Sequence, residues 1–287
     1  MLSKKRLTVL TGAAVAALCI ATQPILARQL DPLPMANGYS SYASANVPAG
    51  QSRIDVGALD PAPVPAMRPV PKSGKGSNYS VFGSVVVPVG TLPATKKWNG
   101  IASGDFLGQY GADCPATRCA SGVRKTLAEA ARRAEDLPPL EALALVNRSV
   151  NGAIAYASDK SAWGKGDYWA SPVEIAKRGK GDCEDYAIAK MWLLRSIGFT
   201  PGQLQLVVLK DVRKQVFHAV LAVHVEGKAY VLDNMSNKVA TDGAYASYVP
   251  ILSFASGKSF IHGFTGKRSG LAQLGGDLSS VMPGEDL

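Results

Sequence analysis

Apolar positions recur at helical spacing through the middle of the chain and switch to a strand-like period after residue 200. Val123 to Glu135 carries helix formers with spaced Arg and Glu residues, and Pro138-Pro139 stops that helix and starts another. The second runs through Leu140, Leu143, Leu145, Val146, Val150 and Ile154, with Asn147 and Asn151 four apart on one face. Ser171-Pro172-Val173-Glu174 combines an N-cap, a first-turn proline and an acidic third position, which predicts a short helix ending at Gly179. A further helix follows, turning Ala187, Ile188, Met191, Trp192 and Leu194 to a core and ending at Gly198. Alternation then predicts strands over Gln203 to Lys210, Val216 to Val225 and Ala229 to Asp233, the last two joined by a tight turn at Glu226-Gly227. Upstream, Tyr79 to Val87 reads as a strand and Thr95 to Tyr110 as an irregular segment holding Trp98.

Composition changes this picture at the ends. Lys4, Lys5 and Arg6, the apolar run Leu7 to Ile20 and Pro24-Ile25-Leu26-Ala27 have the form of a secretory leader cut after Ala27. That run is short for a membrane span, and no later stretch approaches the roughly 20 apolar residues a crossing needs. Cys19 follows Leu18 where a lipidation site needs a small residue, which argues against a lipoprotein. The expected organisation is a signal peptide over 1–27, a disordered Pro/Ala/Ser-rich segment over 28–76, a domain over 77–265 and a flexible tail over 266–287. Subtracting the three leader cations from the formal charge of +9 leaves +6. The basic residues are scattered and not interleaved with aromatics, so they read as solvated surface with no nucleic-acid partner.

Export reframes the cysteines. Without Cys19 there remain Cys114, Cys119 and Cys183, and an oxidising compartment pairs two of them. Cys114 and Cys119 bracket four residues of a loop and are the expected disulfide, with a two-cysteine metal clip as the alternative. Cys183 is then the odd thiol. It follows Gly179, Gly181 and Asp182, so it reads as the first residue of a helix with Asp182 as the capping acceptor, where unpaired amides and the helix dipole favour a thiolate. The acids Asp182, Glu184 and Asp185 oppose that thiolate unless a histidinium or a metal ion offsets them. A small buried residue at a helix start has the same sequence signature.

The hairpin supplies a base. With Glu226 and Gly227 as the two loop residues, Val225 opposes Lys228, and counting outward sets Val220 opposite Asp233 and His218 opposite Met235. His218 and Asp233 become diagonal neighbours on one face, about 7–8 Å apart at the backbone. Cys183, His218 and Asp233 are the chemical set of a thiol protease: nucleophile, base and orienting acid. His224 shares the face of His218 but lies beside the turn, and His262 sits in a glycine-flanked segment, so His218 is the expected base.

The strings Gly181-Asp-Cys-Glu-Asp-Tyr-Ala-Ile-Ala-Lys190, Phe217-His218-Ala-Val-Leu-Ala-Val223 and Val231-Leu-Asp233-Asn234 resemble the bacterial transglutaminase-like cysteine proteinases. Asn147-x-x-Val150-Asn151, Tyr156 and Asp167-Tyr-Trp-Ala-Ser-Pro-Val-Glu174 fit the same pattern, and the resemblance spans about residues 95–262. It implies an α+β, papain-like fold in which N-terminal helices and the cysteine helix lie on an antiparallel sheet bearing His218 and Asp233. It also implies a periplasmic protease that releases an outer-membrane adhesin in biofilms, under an inner-membrane cyclic-di-GMP receptor, with calcium held at Asp182, Glu184 and Asp185. The Pro-rich segment and the Cys114/Cys119 pair depart from that type. An endopeptidase, a transglutaminase or amidase using the same triad, and a non-catalytic calcium-binding module all stay open at this point. Trp163 and Trp169 are candidates for a substrate wall.

Overall fold

The structure, a computed structural model, describes residues 79–90 and 92–264. The leader, the Pro-rich segment and the tail expected at the two ends lie outside the described residues. The chain runs through strand β1 (Val85–Val89), helices α1 (Pro93–Ala102), α2 (Gly122–Ala134) and α3 (Pro139–Ala153), strand β2 (Ala155–Tyr156), helices α4 (Asp159–Trp163) and α5 (Pro172–Arg178), strand β3 (Lys180–Gly181) and helix α6 (Cys183–Ser196). Six strands then follow: β4 (Leu204–Asp211), β5 (Val216–Val225), β6 (Lys228–Asp233), β7 (Ser236–Thr241), β8 (Tyr248–Ala255) and β9 (Lys258–Gly263).

Seven of the strands form one antiparallel sheet in the order β1-β9-β8-β4-β5-β6-β7, and β2 and β3 make a separate parallel pair. Leu204, Leu206, Val208, Leu221, Val223 and Leu232 turn one face of the sheet toward the helices, in a core that includes Trp192, Leu193 and Leu194 of α6. Val207, Leu209, Val220, Ala222 and Val231 turn the other way and are covered by Val81, Phe82 and Tyr248. Every residue of α6 from Cys183 to Leu194 is buried, so this helix is the centre of the fold and not an amphipathic surface element.

The sequence reading departs from the structure at three places in the fold. Residues 79–84 are not strand; they turn through Phe82 and Gly83, both at positive φ (53° and 72°), before β1 begins at Val85. Thr95 to Tyr110 is not irregular: Pro93 starts α1, Thr95 Oγ1 accepts the Leu92 N–H (3.0 Å), and Trp98 stacks on Phe254. The third departure is the sheet's extent, since β7, β8 and β9 double the three strands beyond α6 that alternation had marked. Pro88 in β1 is tolerated because β1 is an edge strand.

Candidate active site

Helix α5 and the turn after it bring the chain to Cys183. Ser171 and Glu174 form a reciprocal capping box, with the Ser171 N–H donating to Glu174 Oε2 (2.9 Å) and the Glu174 N–H to Ser171 Oγ (3.3 Å). Gly179 ends α5 in the left-handed region at φ 68°. Gly181 is required for a different reason: a Cβ there would lie 2.4 Å from Asp185 Oδ2. Cys183 is thus N1 of α6, buried and reduced, while Cys114 and Cys119 are disulfide-bonded.

The hairpin register has the expected form. Val225 pairs with Lys228 and the ladder runs to Leu221 opposite Leu232, around a turn with Glu226 and Gly227 both at positive φ. His218 Nε2 and Asp233 Oδ1 are 2.9 Å apart, both side chains fully buried. Asp233 also accepts the Met235 N–H at Oδ1 (2.9 Å) and the Tyr248 hydroxyl at Oδ2 (2.6 Å). Burial alone raises a carboxyl pKa, but the hydrogen bonds from and charge on His218, and the Tyr248 bond, bring Asp233 down to about 2. Asp233 is therefore an anion that only accepts, so Nε2 carries a proton toward it and Nδ1 is the nitrogen left to exchange one. Nδ1 is buried without a hydrogen-bond partner.

Cys183 Sγ accepts the N–H of Ala219, the residue after His218, and its thiol donates to Glu184 Oε2 (3.4 Å). Burial pushes the thiol well above its ordinary pKa, and the Glu184 and Asp182 charges push it further. Two asparagines complete the frame: Asn151 Nδ2 donates to the Asp233 carbonyl (2.9 Å) and Asn147 Nδ2 to the Ser236 carbonyl (2.8 Å). Their common face was legible in the sequence; their clamp on the β6–β7 turn was not.

The acids divide differently from the expectation. Asp182 makes no capping bond to the first turn of α6. Its carboxylate instead joins those of Glu184 and Asp159, with one oxygen of each within 4.8 Å of the others and all three residues buried. Asp185 stands outside that group: Oδ1 accepts the Ala170 N–H (3.0 Å) and Oδ2 the Trp163 indole N–H (3.2 Å), which ties the loop after α4 to the cysteine helix. Asp159, absent from the sequence expectation, is anchored by the Tyr168 N–H. Burial first, and then the neighbouring carboxylates, raise Asp182 to about 7 and Glu184 well above the carboxylate range. Asp182 Oδ1 and Glu184 Oε1 are buried without a donor. Hard oxygens, excess negative charge and orphaned acceptors are a donor set that fits a calcium ion. Trp169 is packed edge-on against Phe254 in the core and offers no substrate wall.

Residues 106–253 match the family described as bacterial transglutaminase-like cysteine proteinase BTLCP. Solved structures of Legionella pneumophila LapG are similar to this chain. One is 29% identical, covering 46% of this chain and 74% of its own, with a TM-score of 0.41. A calcium-bound one is 24% identical, covering 59% and 88%, at 0.44. An EGTA-treated one is 23% identical, covering 69% and 92%, at 0.43. No curated protein matches the chain. With the family match spanning half of its length, the chain belongs to the bacterial transglutaminase-like cysteine proteinases and is a cysteine peptidase.

Proposed function

We propose that the protein is an exported endopeptidase that hydrolyses a periplasmic or cell-surface protein with Cys183 as nucleophile, His218 as base and Asp233 as orienting acid. The observation that carries this reading is the His218–Asp233 bond, which leaves Nδ1 as the free base while the Cys183 sulfur rests on the peptide that follows His218. Nδ1 takes the thiol proton, and the thiolate attacks the scissile carbonyl carbon. The resulting oxyanion is met by the Cys183 N–H, which at N1 has no intrahelical acceptor. The imidazolium then gives its proton to the leaving amine, and a water deprotonated by His218 hydrolyses the thioester.

Asp159, Asp182 and Glu184 would hold a calcium ion beside the nucleophile, and LapG is known in calcium-bound form. Bound there, calcium supplies positive charge that offsets the carboxylates now raising the thiol pKa. The Cys114–Cys119 disulfide supports an oxidising compartment, as the leader does, and among the described residues no helix is long and apolar enough to cross a membrane. The family resemblance supports a surface adhesin as substrate and an inner-membrane receptor as regulator.

The test is to incubate a periplasmic and surface protein pool with wild-type protein and with Cys183→Ser, in calcium and in chelator, and to map new N-termini by mass spectrometry. Hydrolysis gives N-termini that appear only with wild type in calcium. N-termini that appear equally with both proteins sink the proposal, and isopeptide products in their place would mark a transferase.

A further inference from the structure

Residues 79–84 form a strap held at both ends by buried side chains of the sheet. Gln205 Nε2 on β4 donates to the Tyr79 carbonyl (2.9 Å), and Ser84 Oγ lies 2.7 Å from His262 Nδ1 on β9. Between these anchors Phe82 stands at φ 53°, in the left-handed region where a bulky side chain is rarely found. A glycine or an asparagine would take that conformation with less strain. What the phenylalanine adds is its ring. The Phe82 N–H donates to Asp242 Oδ2 (2.6 Å), and the ring meets that of Tyr248 at 60° with the centroids 5.8 Å apart.

Tyr248, on β8, touches two members of the proposed triad. Its hydroxyl donates to Asp233 Oδ2 (2.6 Å), and its ring stands edge-on to His218 at 5.9 Å. The other carboxylate oxygen, Oδ1, already takes His218 Nε2 and the Met235 N–H. With donors on both oxygens the carboxylate is fixed in rotation. Without the hydroxyl, Oδ2 becomes a buried acceptor with nothing to accept, and the group gains by turning away from the imidazole. Packing alone does not call for this hydroxyl, because a phenylalanine at 248 would fill the same volume. We propose that Tyr248 and Phe82 are positioning residues of the triad, Tyr248 fixing the Asp233 carboxylate toward His218 and Phe82 fixing Tyr248. The strained backbone at Phe82 then has a purpose, since the strap sets an aromatic wall behind the residue that holds the orienting acid. The consequence for catalysis rests on the triad reading above; the chain of contacts from Phe82 to His218 does not.

The experiment follows the His218 Nε2 proton by NMR of the protein in calcium with nitrogen-labelled histidines. The chain has 3 histidines, and the signal missing from His218→Gln is that of His218. Tyr248→Phe keeps the ring and removes the hydroxyl; the resonance moves and broadens, and the rate at which Cys183-dependent N-termini appear in the protein pool falls about 10-fold. Phe82→Leu changes the resonance in the same way to a smaller extent. Added to Tyr248→Phe it changes the resonance no further, because Phe82 acts through the hydroxyl. Tyr245→Phe takes a hydroxyl from the neighbouring ring, where its partner is the Lys238 carbonyl (3.5 Å), and leaves the resonance as in wild type. A merely structural pair would lower thermal stability and leave the His218 resonance in place. A resonance unmoved in Tyr248→Phe overturns the proposal, and a Phe82→Leu change of equal size with and without the hydroxyl overturns the part given to Phe82. Should Phe82→Leu not fold, Asp242→Ala, which strips the acceptor from the Phe82 N–H, takes its place. A resonance that responds as expected while no cleavage depends on Cys183 sinks the protease reading and leaves the positioning intact.

Discussion

Replacing Asp182 by asparagine removes one negative charge from a buried group of three carboxylates, and its effect on stability must change sign with calcium. Asp182 titrates near 3.8 when unperturbed and near 7 in the fold, chiefly through burial and secondarily through its acidic neighbours. The unfolded chain thus releases its proton about 3 pH units earlier than the native one. At 1.36 kcal/mol per unit this is a ceiling of about 4 kcal/mol. Because the folded pKa is the raised one, the ion-free protein is at its best below pH 4 with respect to this group, loses stability as pH rises toward 7, and is level above that. Asp182→Asn has no such slope. In chelator at pH 7.5 the variant therefore unfolds at higher temperature than wild type, each kcal/mol giving about 2–4 °C in a domain of this size. In calcium the order reverses, because ion binding stabilises only the protein that keeps the ligand. Thermal unfolding at pH 4.5 and 7.5, each in chelator and in calcium, reads all four combinations. Equal unfolding temperatures for wild type and variant in chelator at pH 7.5 would refute the reasoning, as would a wild type that calcium leaves unchanged.

Three further substitutions give independent readings. Asp233→Asn removes a carboxylate whose pKa is lowered to about 2, so it contributes stability above pH 4 that is lost as pH falls through 2. Denaturant unfolding should show the variant about 2 kcal/mol weaker at pH 7 and converging with wild type in strong acid. Gly181→Ala drives a methyl into the Asp185 carboxylate and costs about 1–3 kcal/mol, with the Trp163 fluorescence altered as its bond to Asp185 is lost. Asn151→Ala strips the donor from the Asp233 carbonyl and lowers stability by about 1–2 kcal/mol, with a larger fractional loss in peptidase rate than Asn→Ala changes on exposed surfaces.

Local chemistry was legible where one short segment decided the outcome. The capping box at Ser171/Glu174, the glycine at 179 and the positive-φ pair at Glu226-Gly227 are local rules, and the pairing of β5 with β6 followed from the turn alone. Relationships across the chain were not legible in the same way. Asp159 lies 23 positions before Asp182, at the start of the short helix α4, and only the fold brings its carboxylate to the cluster. Asp185 looked equivalent to its neighbours because sequence gives acidity and not direction; the Ala170 and Trp163 donors turn it away. For the same reason Asp182 read as a helix cap, although its carboxylate serves the acidic cluster and leaves the first turn uncapped. The strands β8 and β9 did carry a signal, the mostly apolar run Ile251 to Ala255 ahead of the Ser256-Gly257 turn, which the glycine-flanked appearance of His262 obscured.

The triad itself is read most directly by the rate at which iodoacetamide alkylates Cys183 as a function of pH, in calcium-loaded wild type and in His218→Ala, followed by intact mass. A thiolate–imidazolium pair gives wild type a plateau of reactivity extending below pH 7, which His218→Ala abolishes, leaving a single rise at or above the ordinary thiol pKa of about 8.5. Identical profiles for the two proteins, both rising only in alkali, would contradict a catalytic Cys183–His218 pair.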